Sequence, residues 1–196
     1  MTSRARQKPE ELANLRALLA ESSKNCQAKY LAEAGVFVGL SARLIAERMG
    51  PDEILCLYDT WCGLPPGACA EDEQHWEGSF RGDWLELTRR NLEEFSHLLQ
   101  WHQGIFRAET AEPNDAVFRF VHCDLDVEEG TREALAWFTP RIAGGGILVV
   151  HDYKQYDRVP TPGVLRAVRE WLATSSEGWS VEVMPDPSSQ VVLRRT

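Results

Sequence analysis

The sequence contains no long apolar run and no excess of basic side chains. No stretch approaches the roughly 20 apolar residues that a membrane-spanning helix needs. The N-terminus, MTSRARQKPEEL, is charged and is not followed by an apolar stretch, so we do not expect a secretory signal. Basic side chains number 21 against 30 acidic ones, for a net charge of −9, whereas nucleic-acid-binding proteins normally present a basic face. We therefore expect a cytoplasmic protein that binds neither nucleic acid nor membrane.

Cysteines are few and are not arranged in metal-binding pairs. An odd number of five, with no CxxC motif, argues against a zinc ribbon and against a disulfide framework. Two of them, Cys56 and Cys123, lie in apolar strand-like runs and are expected to be small core residues. We assign no metal or redox role to any cysteine.

The length and composition fit one folded domain. The chain has 196 residues, of which 43% are hydrophobic and 26% are charged, close to the average for soluble proteins. We predict a single domain over residues 1–196, in which residues 1–29 form an N-terminal helical extension.

From Tyr30 onward, short apolar runs alternate with segments of helical periodicity. Such repeats build a parallel sheet with helices on both faces. The last two predicted strands, Trp179–Met184 and Gln190–Arg194, have no helix between them and should pair antiparallel. The pattern predicts an α/β, doubly wound, mostly parallel sheet with an antiparallel C-terminal strand, which is the Rossmann-like plan of class I methyltransferases. Between the second predicted strand and the helix predicted at Leu85–Leu98, the segment Thr60–Trp84 shows no sustained period and is expected to be a binding loop or lid.

Two features at predicted strand ends point to a cofactor. The first is the glycine-containing segment Glu33–Ser41, where a strand-to-helix turn would bring backbone N–H groups close to a ligand. The second is Asp59, a carboxylate that could accept hydrogen bonds from both ribose hydroxyls. Each has an ordinary alternative, a tight turn or a capping aspartate. Together they fit an adenosine-containing cofactor, although the incomplete GxGxxG pattern disfavours a nicotinamide dinucleotide.

Acidic residues follow the next two predicted strands. If the strand at Val117–Cys123 continues, Asp124 and Asp126 project to the same side, where two carboxylates need a cation or a proton. The following strand delivers His151 and Asp152 to the same sheet edge. Asp124, Asp152 and His151 could therefore converge on one divalent metal, with oxygen ligands favouring Mg²⁺ or Mn²⁺ and the imidazole shifting the preference away from strict Mg²⁺. The alternative is that these carboxylates only cap strands and helices.

These segments resemble the macrocin O-methyltransferase (TylF-type) family, metal-dependent enzymes that methylate sugar hydroxyls with S-adenosylmethionine. The resemblance covers the chain from about Tyr30 to Leu172. Its most specific blocks are YDTWCGLP (Tyr58–Pro65), DLD (Asp124–Asp126) and GGGILVVHDY (Gly144–Tyr153), with EAGVFVGLS (Glu33–Ser41) as a weaker one.

For the cofactor, the resemblance implies that Glu33, Gly35 and Ser41, with Gly39 in the same turn, hold the methionine and adenosine parts of S-adenosylmethionine. It also implies that Asp59 binds the ribose diol.

For the chemistry, the resemblance implies that Asp124, Asp152 and the residue at position 151 hold a divalent metal, most simply Mg²⁺. Asp126 would be the general base, and His151 is a second candidate for that role. The family usually has an acid where His151 stands, a tyrosine where Glu128 stands and an acid where Cys62 stands.

Three functional hypotheses follow. The first is an O-methyltransferase acting on a small-molecule or oligosaccharide sugar acceptor, whose entrance would be formed by Thr60–Trp84 and Lys154–Pro162. The second is a metal-dependent O-methyltransferase of a catechol or other vicinal diol. The third is a non-catalytic cofactor-binding protein of the same fold, to which His151 lends weight. We also expect a homo-oligomer, most simply a dimer.

Overall fold

A computed structural model describes residues 7–109, 111–154 and 163–196, except for the side chain of His75. Seven strands of this part of the chain form one sheet in the order β3-β2-β1-β4-β5-β7-β6. Strands β1 to β5 are mutually parallel, β7 pairs antiparallel with β5, and β6 pairs antiparallel with β7. The strands are β1 (Tyr30–Ala34), β2 (Ile54–Asp59), β3 (Leu99–Gln103), β4 (Phe118–Cys123), β5 (Ile142–Val150), β6 (Trp179–Val183) and β7 (Val191–Arg195). The predicted mixed sheet with its antiparallel end is confirmed.

Helices cover both faces of the sheet because strand side chains alternate between two apolar clusters. In β1, Leu31 belongs to the cluster that also contains Leu15 and Leu19, while Ala32 belongs to the cluster that contains Leu135. The helices of the described part are α1 (Pro9–Asn25), α2 (Leu40–Ala46), α3 (Leu85–Asn91), α4 (Glu128–Phe138) and α5 (Gly163–Ser175). Because Leu15, Leu18 and Leu19 are buried, α1 is part of the core as well as an N-terminal extension. None of the helices in the described ranges is both long and apolar enough to cross a membrane.

The segment predicted as one helix, Leu85–Leu98, is divided in the structure. Helix α3 ends at Asn91, and a 3₁₀ helix, Glu93–Leu98, follows it. The break coincides with two tertiary hydrogen bonds. The guanidinium of Arg43 donates to the Asn91 carbonyl oxygen at 2.9 Å, and the Asn91 amide donates to the Val38 carbonyl oxygen at 2.8 Å. These bonds tie the end of α3 to the segment around α2, a contact that helical periodicity cannot reveal.

The register of the sheet brings four strand ends to one level. Ala34 at the end of β1 is paired with Tyr58 of β2 and with Cys123 of β4, and Cys123 is paired with Val150 of β5. The chain order reverses between β1 and β4, and in open α/β sheets ligands bind at this switch point, beyond the carboxyl ends of the strands. The residues that follow these positions are Gly35, Asp59, Asp124 and His151, so the fold places them side by side.

Gly35 is required at this edge for steric reasons. Its φ of +88° lies in the left-handed region, and a Cβ there would overlap the backbone carbonyl oxygen of Asp124. We expect Gly35→Ala to lower the free energy of unfolding by about 3 kcal/mol, which combines left-handed strain with overpacking. Gly67 is a matched control, because it has a φ of +77° but nothing within 4 Å of its added Cβ. Gly67→Ala should cost only about 1 kcal/mol. Urea unfolding measures both values, and equal losses would show that the contact with Asp124 is not the cause.

Candidate active site

One cavity opens at the carboxyl ends of β1, β2, β4 and β5. Both predicted groups of residues reach it, the glycine turn after β1 and the acidic residues after β4 and β5. The segment Thr60–Trp84, predicted to be a binding loop or lid, supplies part of its wall and contains a short 3₁₀ helix, Glu71–Trp76. The residues that line the cavity include Gln7, Gly35, Phe37, Tyr58, Asp59, Leu64, Phe80, Trp84, Ile105, Arg107, Asp124, Asp126, Glu129, His151 and Asp152.

Asp59 organises the glycine turn. One of its carboxylate oxygens, Oδ2, accepts hydrogen bonds from the backbone N–H groups of Val36 and Phe37, both at 2.7 Å. The other, Oδ1, accepts one from Trp61 N–H at 2.6 Å. The Thr60 hydroxyl also lies 3.5 Å from Oδ1, but its shorter hydrogen bond, 2.7 Å, is to the Gly63 carbonyl oxygen. A carboxylate has about four acceptor positions, so about one of those of Asp59 has no short hydrogen bond. The binding of a ribose diol by Asp59 stays a prediction, whereas its role in shaping the turn is seen directly.

The other predicted cofactor residues divide into two groups. Gly35 lines the cavity, but Glu33 and Ser41 are buried residues outside its lining, and Gly39 is the left-handed N-cap of α2. Glu33 is fully buried, and its Oε1 lies 2.7 Å from Nδ1 of His122. Burial raises the pKa of the Glu33 carboxyl against the opposing effect of His122. Contact of Glu33, Gly39 and Ser41 with a cofactor stays a prediction.

Asp124, His151 and Asp152 form a compact cluster at the end of β4 and β5. The backbone N–H of His151 donates to the Cys123 carbonyl oxygen at 2.8 Å, which fixes the two strand ends side by side. Nδ1 of His151 lies 2.9 Å from Oδ1 of Asp124 and 3.3 Å from Oδ1 of Asp152. Within the described residues, one donor atom from each of the three lies within 4.8 Å of the other two. The structure thus brings these three predicted side chains together, and their binding of a metal stays a prediction.

Asp126 joins this cluster by a route other than strand continuation. Strand β4 ends at Cys123, and the backbone turns with a φ of +65° at Asp126. Asp152 also has a left-handed φ, of +55°. Left-handed conformations cost energy for side chains other than glycine and are concentrated at functional sites. The condition for the strand itself to carry Asp124 and Asp126 on one side, that it continues beyond Cys123, is therefore not met, although both residues line the same cavity.

The carboxylates of the cluster have unequal proton affinities. Burial raises the pKa of Asp126 well above its ordinary value, and the charges of Asp124 and Asp152 raise it further. Burial acts on Asp124 in the same direction, but the charge and hydrogen bond of His151 outweigh it and hold the pKa of Asp124 below its usual range. Burial would lower the pKa of His151, yet Asp124, Glu11 and Asp152 raise it well above the ordinary imidazole value. The cluster therefore favours a positive charge among its carboxylates.

Two residues of the site come from the N-terminal segment and were not predicted. Oε2 of Glu11 lies 3.2 Å from Nε2 of His151, and the side-chain amide of Gln7 donates to Oδ2 of Asp124 at 3.0 Å. In the sequence, Glu11 is indistinguishable from the acidic residues that commonly stand in the first turn of a helix. No local pattern indicates that this part of the chain reaches the sheet edge.

The donor set fits a divalent ion. An ion about 2.1 Å from each of two adjacent ligands separates those ligands by about 3.0 Å. The distances from Nδ1 of His151 to the two aspartate oxygens, 2.9 and 3.3 Å, are close to this spacing. Two carboxylates suit Mg²⁺ and Mn²⁺, and the imidazole shifts the preference away from strict Mg²⁺. An ion held by these three side chains would lie in the same cavity as the glycine turn.

Comparisons with known proteins agree with this architecture. The family model described as "Methyltransferase domain" matches residues 32–153, which is more than half of the chain. A comparison with curated proteins gives no match. The structure of the O-methyltransferase NovP superimposes with a TM-score of 0.75 at 21% sequence identity, covering 94% of this chain and 79% of NovP.

Two further examples of solved structures with a similar fold are informative. One is the apo structure of CalS11, a TDP-rhamnose 3′-O-methyltransferase of calicheamicin biosynthesis, with a TM-score of 0.66 and 18% identity over 94% of this chain and 78% of that one. The other is the O-methyltransferase TomG from Streptomyces achromogenes in complex with S-adenosylmethionine, with a TM-score of 0.63 and 21% identity over 96% of this chain and 80% of TomG. At these identities the similarity establishes the fold.

Proposed function

The chain belongs to the methyltransferase-domain family, and from this membership and the geometry of the cavity we propose that it is a metal-dependent O-methyltransferase. It would transfer the methyl group of S-adenosylmethionine to a hydroxyl of a sugar. The observation that carries the proposal is that one cavity is lined by both the glycine turn and the cluster of Asp124, His151 and Asp152. A methyl donor on the turn and a hydroxyl near the cluster would thus be neighbours.

The cofactor would occupy the side of the cavity formed by β1 and β2. The turn at Gly35, which Asp59 holds in place, exposes backbone to the cavity, and Ile105 and Arg107 line its wall beyond β3. TomG, which has the same fold, is described in complex with S-adenosylmethionine, and this supports the same donor here.

Asp124, Asp152 and Nδ1 of His151 would hold the divalent ion. When bound, such an ion makes a coordinated hydroxyl more acidic and orients it. Asp126 is our candidate for the general base, because it lines the cavity and its raised pKa brings it closer to the operating pH than an ordinary carboxylate. His151 is less suited to that role, because both of its ring nitrogens already face carboxylates.

In the proposed reaction, the acceptor oxygen forms a bond to the methyl carbon while the carbon–sulfur bond breaks. The electron pair of that bond stays on sulfur, which yields S-adenosylhomocysteine. The hydroxyl proton passes to the Asp126 carboxylate and from there to solvent. The residues of this chain would thus bind the cofactor and the metal ion, orient the acceptor and remove its hydroxyl proton.

A sugar acceptor is supported by the sequence resemblance described above and by the similar fold of CalS11, described as a TDP-rhamnose 3′-O-methyltransferase. A catechol or related aromatic diol is the second candidate, and an aromatic group at the cavity favours it. The ring of Phe37 lies 5.7 Å from that of Phe80 and 5.2 Å from that of Trp84, each in an edge-to-face arrangement, and all three residues line the cavity.

The assay that tests the function uses S-adenosylmethionine with a tritiated methyl group and Mg²⁺. The acceptors are nucleotide sugars and methyl glycosides in one arm and catechols in the other. Methylation of a sugar hydroxyl supports the proposal, whereas transfer only to catechols would select the second candidate. Binding of S-adenosylhomocysteine without transfer to any acceptor would favour a cofactor-binding protein.

Removing the metal should abolish methyl transfer but leave cofactor binding intact. We expect excess EDTA to lower the transfer rate by about 10³-fold, because the hydroxyl loses its Lewis acid, and Mg²⁺ or Mn²⁺ should restore the rate. Calorimetric titration with S-adenosylhomocysteine should give a similar affinity with and without EDTA. Undiminished transfer in excess EDTA would refute metal dependence.

We also propose a cytoplasmic location. All five cysteines are free thiols, and three of them are buried, which suits a reducing compartment.

A further inference from the structure

Glu11 is an almost fully buried carboxylate at the first turn of α1, with an exposed fraction of 1%. A buried carboxylate without partners would be strongly destabilising, so its contacts indicate what it does. They join three separate parts of the chain, which are the N-terminus of α1, the connection between β6 and β7, and the end of β5.

The contacts of Glu11 determine where protons lie around it. Oε1 accepts hydrogen bonds from the backbone N–H and the hydroxyl of Ser189, at 2.9 and 2.7 Å. Oε2 accepts one from the backbone N–H of Lys8 at 2.7 Å and lies 3.2 Å from Nε2 of His151. The Ser189 hydroxyl, which donates to Oε1, has its oxygen 3.3 Å from the same Nε2. Because each of its two carboxylate oxygens accepts a hydrogen bond from a backbone N–H group, Glu11 acts as an acceptor at this position.

An acceptor at this position requires His151 to donate from Nε2. The other nitrogen, Nδ1, is then the one that faces Asp124 and Asp152, at 2.9 and 3.3 Å. Without a metal ion, both ring nitrogens of His151 face carboxylates and the imidazole is favoured in its protonated form. A bound divalent ion would displace the Nδ1 proton to solvent, and the neutral imidazole would then keep its proton on Nε2 and direct its Nδ1 lone pair between the two aspartates. In proteins, a histidine that binds a metal commonly donates its other ring N–H to a carboxylate, which fixes the tautomer and orients the ring.

We propose that Glu11 is a positioning residue that makes His151 a nitrogen ligand, by holding its Nε2 proton and directing Nδ1 at the metal position between Asp124 and Asp152. The inference rests on the metal dependence in the proposed function. It assigns the N-terminal helix a role in the site that goes beyond packing, because α1 must be docked for the ligand set to be complete.

The test is the affinity for Mn²⁺ alone, measured from the free-ion signal in electron paramagnetic resonance. Glu11→Gln should weaken Mn²⁺ binding by about 10- to 100-fold, the range observed when such supporting carboxylates are lost. Its affinity for S-adenosylhomocysteine should stay within about twofold of the wild type, because the glycine turn is unchanged. Glu21→Gln is the matched control, since Glu21 lies on the same helix and pairs with Arg194 at 2.6 Å, away from His151. This variant should bind Mn²⁺ like the wild type.

A double-mutant cycle separates positioning from a general loss of structure. In a His151→Asn background, Glu11 has no imidazole to orient, so Glu11→Gln should change Mn²⁺ affinity by less than about twofold. A purely structural role would give the same loss in both backgrounds and would overturn the inference.

Pulsed electron paramagnetic resonance of ¹⁵N-histidine-labelled protein distinguishes the ligand role of His151 from the positioning role of Glu11. Coupling of bound Mn²⁺ to a histidine nitrogen, lost in His151→Asn, supports the ligand assignment. If the coupling is present but Glu11→Gln binds Mn²⁺ normally, only the role of Glu11 is refuted. If the wild type binds no Mn²⁺, the metal dependence of the proposed function fails, and the inference fails with it.

Discussion

Asp124→Asn is expected to reduce methyl transfer by about 10³-fold or more while the affinity for S-adenosylhomocysteine stays within about threefold. Asp124 lies where β4 meets the glycine turn, 2.9 Å from Nδ1 of His151 and within reach of Gln7. Asparagine has almost the same shape but lacks the negative charge that a divalent cation and the imidazole both require. The loss should therefore fall on metal binding and on catalysis.

Asp115→Asn is a suitable control for this substitution, because Asp115 is an exposed aspartate outside the cavity lining. It should keep full activity. If Asp124→Asn retained more than about a tenth of the wild-type rate, the metal cluster would not be the centre of the chemistry. An unchanged rate would refute the catalytic role of the cluster altogether.

Asp126→Asn is expected to lower kcat by about 10²- to 10⁴-fold, the usual contribution of a general base. The affinity for Mn²⁺ should stay within about threefold of the wild type, because Asp126 is proposed to take the proton without being one of the three ligands. Asparagine tolerates the left-handed φ of +65° at this position, so the backbone turn should be preserved.

Kinetics and metal titration together check this assignment. A variant that loses Mn²⁺ affinity and rate in parallel would show that Asp126 is a ligand and would leave the base unassigned. A variant with wild-type kcat would show that another group takes the proton. His151→Asn then becomes informative, because loss of rate with retained Mn²⁺ binding would identify His151 as that group.

The sheet and its functional edge were predictable because they follow from patterns that are local in sequence. Apolar runs such as that around Val149 mark buried parallel strands, and polar residues directly after them mark the sheet edge. Since the ends of neighbouring parallel strands lie together, Asp124, His151 and Asp152 could be placed in one cluster without coordinates. The antiparallel end followed from the short connection before β7.

The site residues that the sequence did not reveal make contacts between segments that are distant along the chain. Glu11 and Gln7 are more than 100 residues from the side chains that they contact, and nothing in the composition of the N-terminal segment distinguishes them. The buried pair of Glu33 and His122 also joins distant segments, 89 residues apart. It was missed because a strand-end glutamate next to a glycine turn resembles a residue that contacts a ligand. The entrance predicted at Lys154–Pro162 lies, apart from Lys154, outside the described residues.

The proposed metal site beside the cofactor is tested most directly by the anomalous scattering of a crystal grown with S-adenosylhomocysteine and Mn²⁺. We predict one Mn²⁺ peak bonded to carboxylate oxygens of Asp124 and Asp152 and to Nδ1 of His151, in the same cavity as the cofactor sulfur. We also predict that Nε2 of His151 still faces Glu11. A saturating Mn²⁺ concentration that leaves this cluster without a peak, or a peak elsewhere in the molecule only, would contradict the proposed metal site.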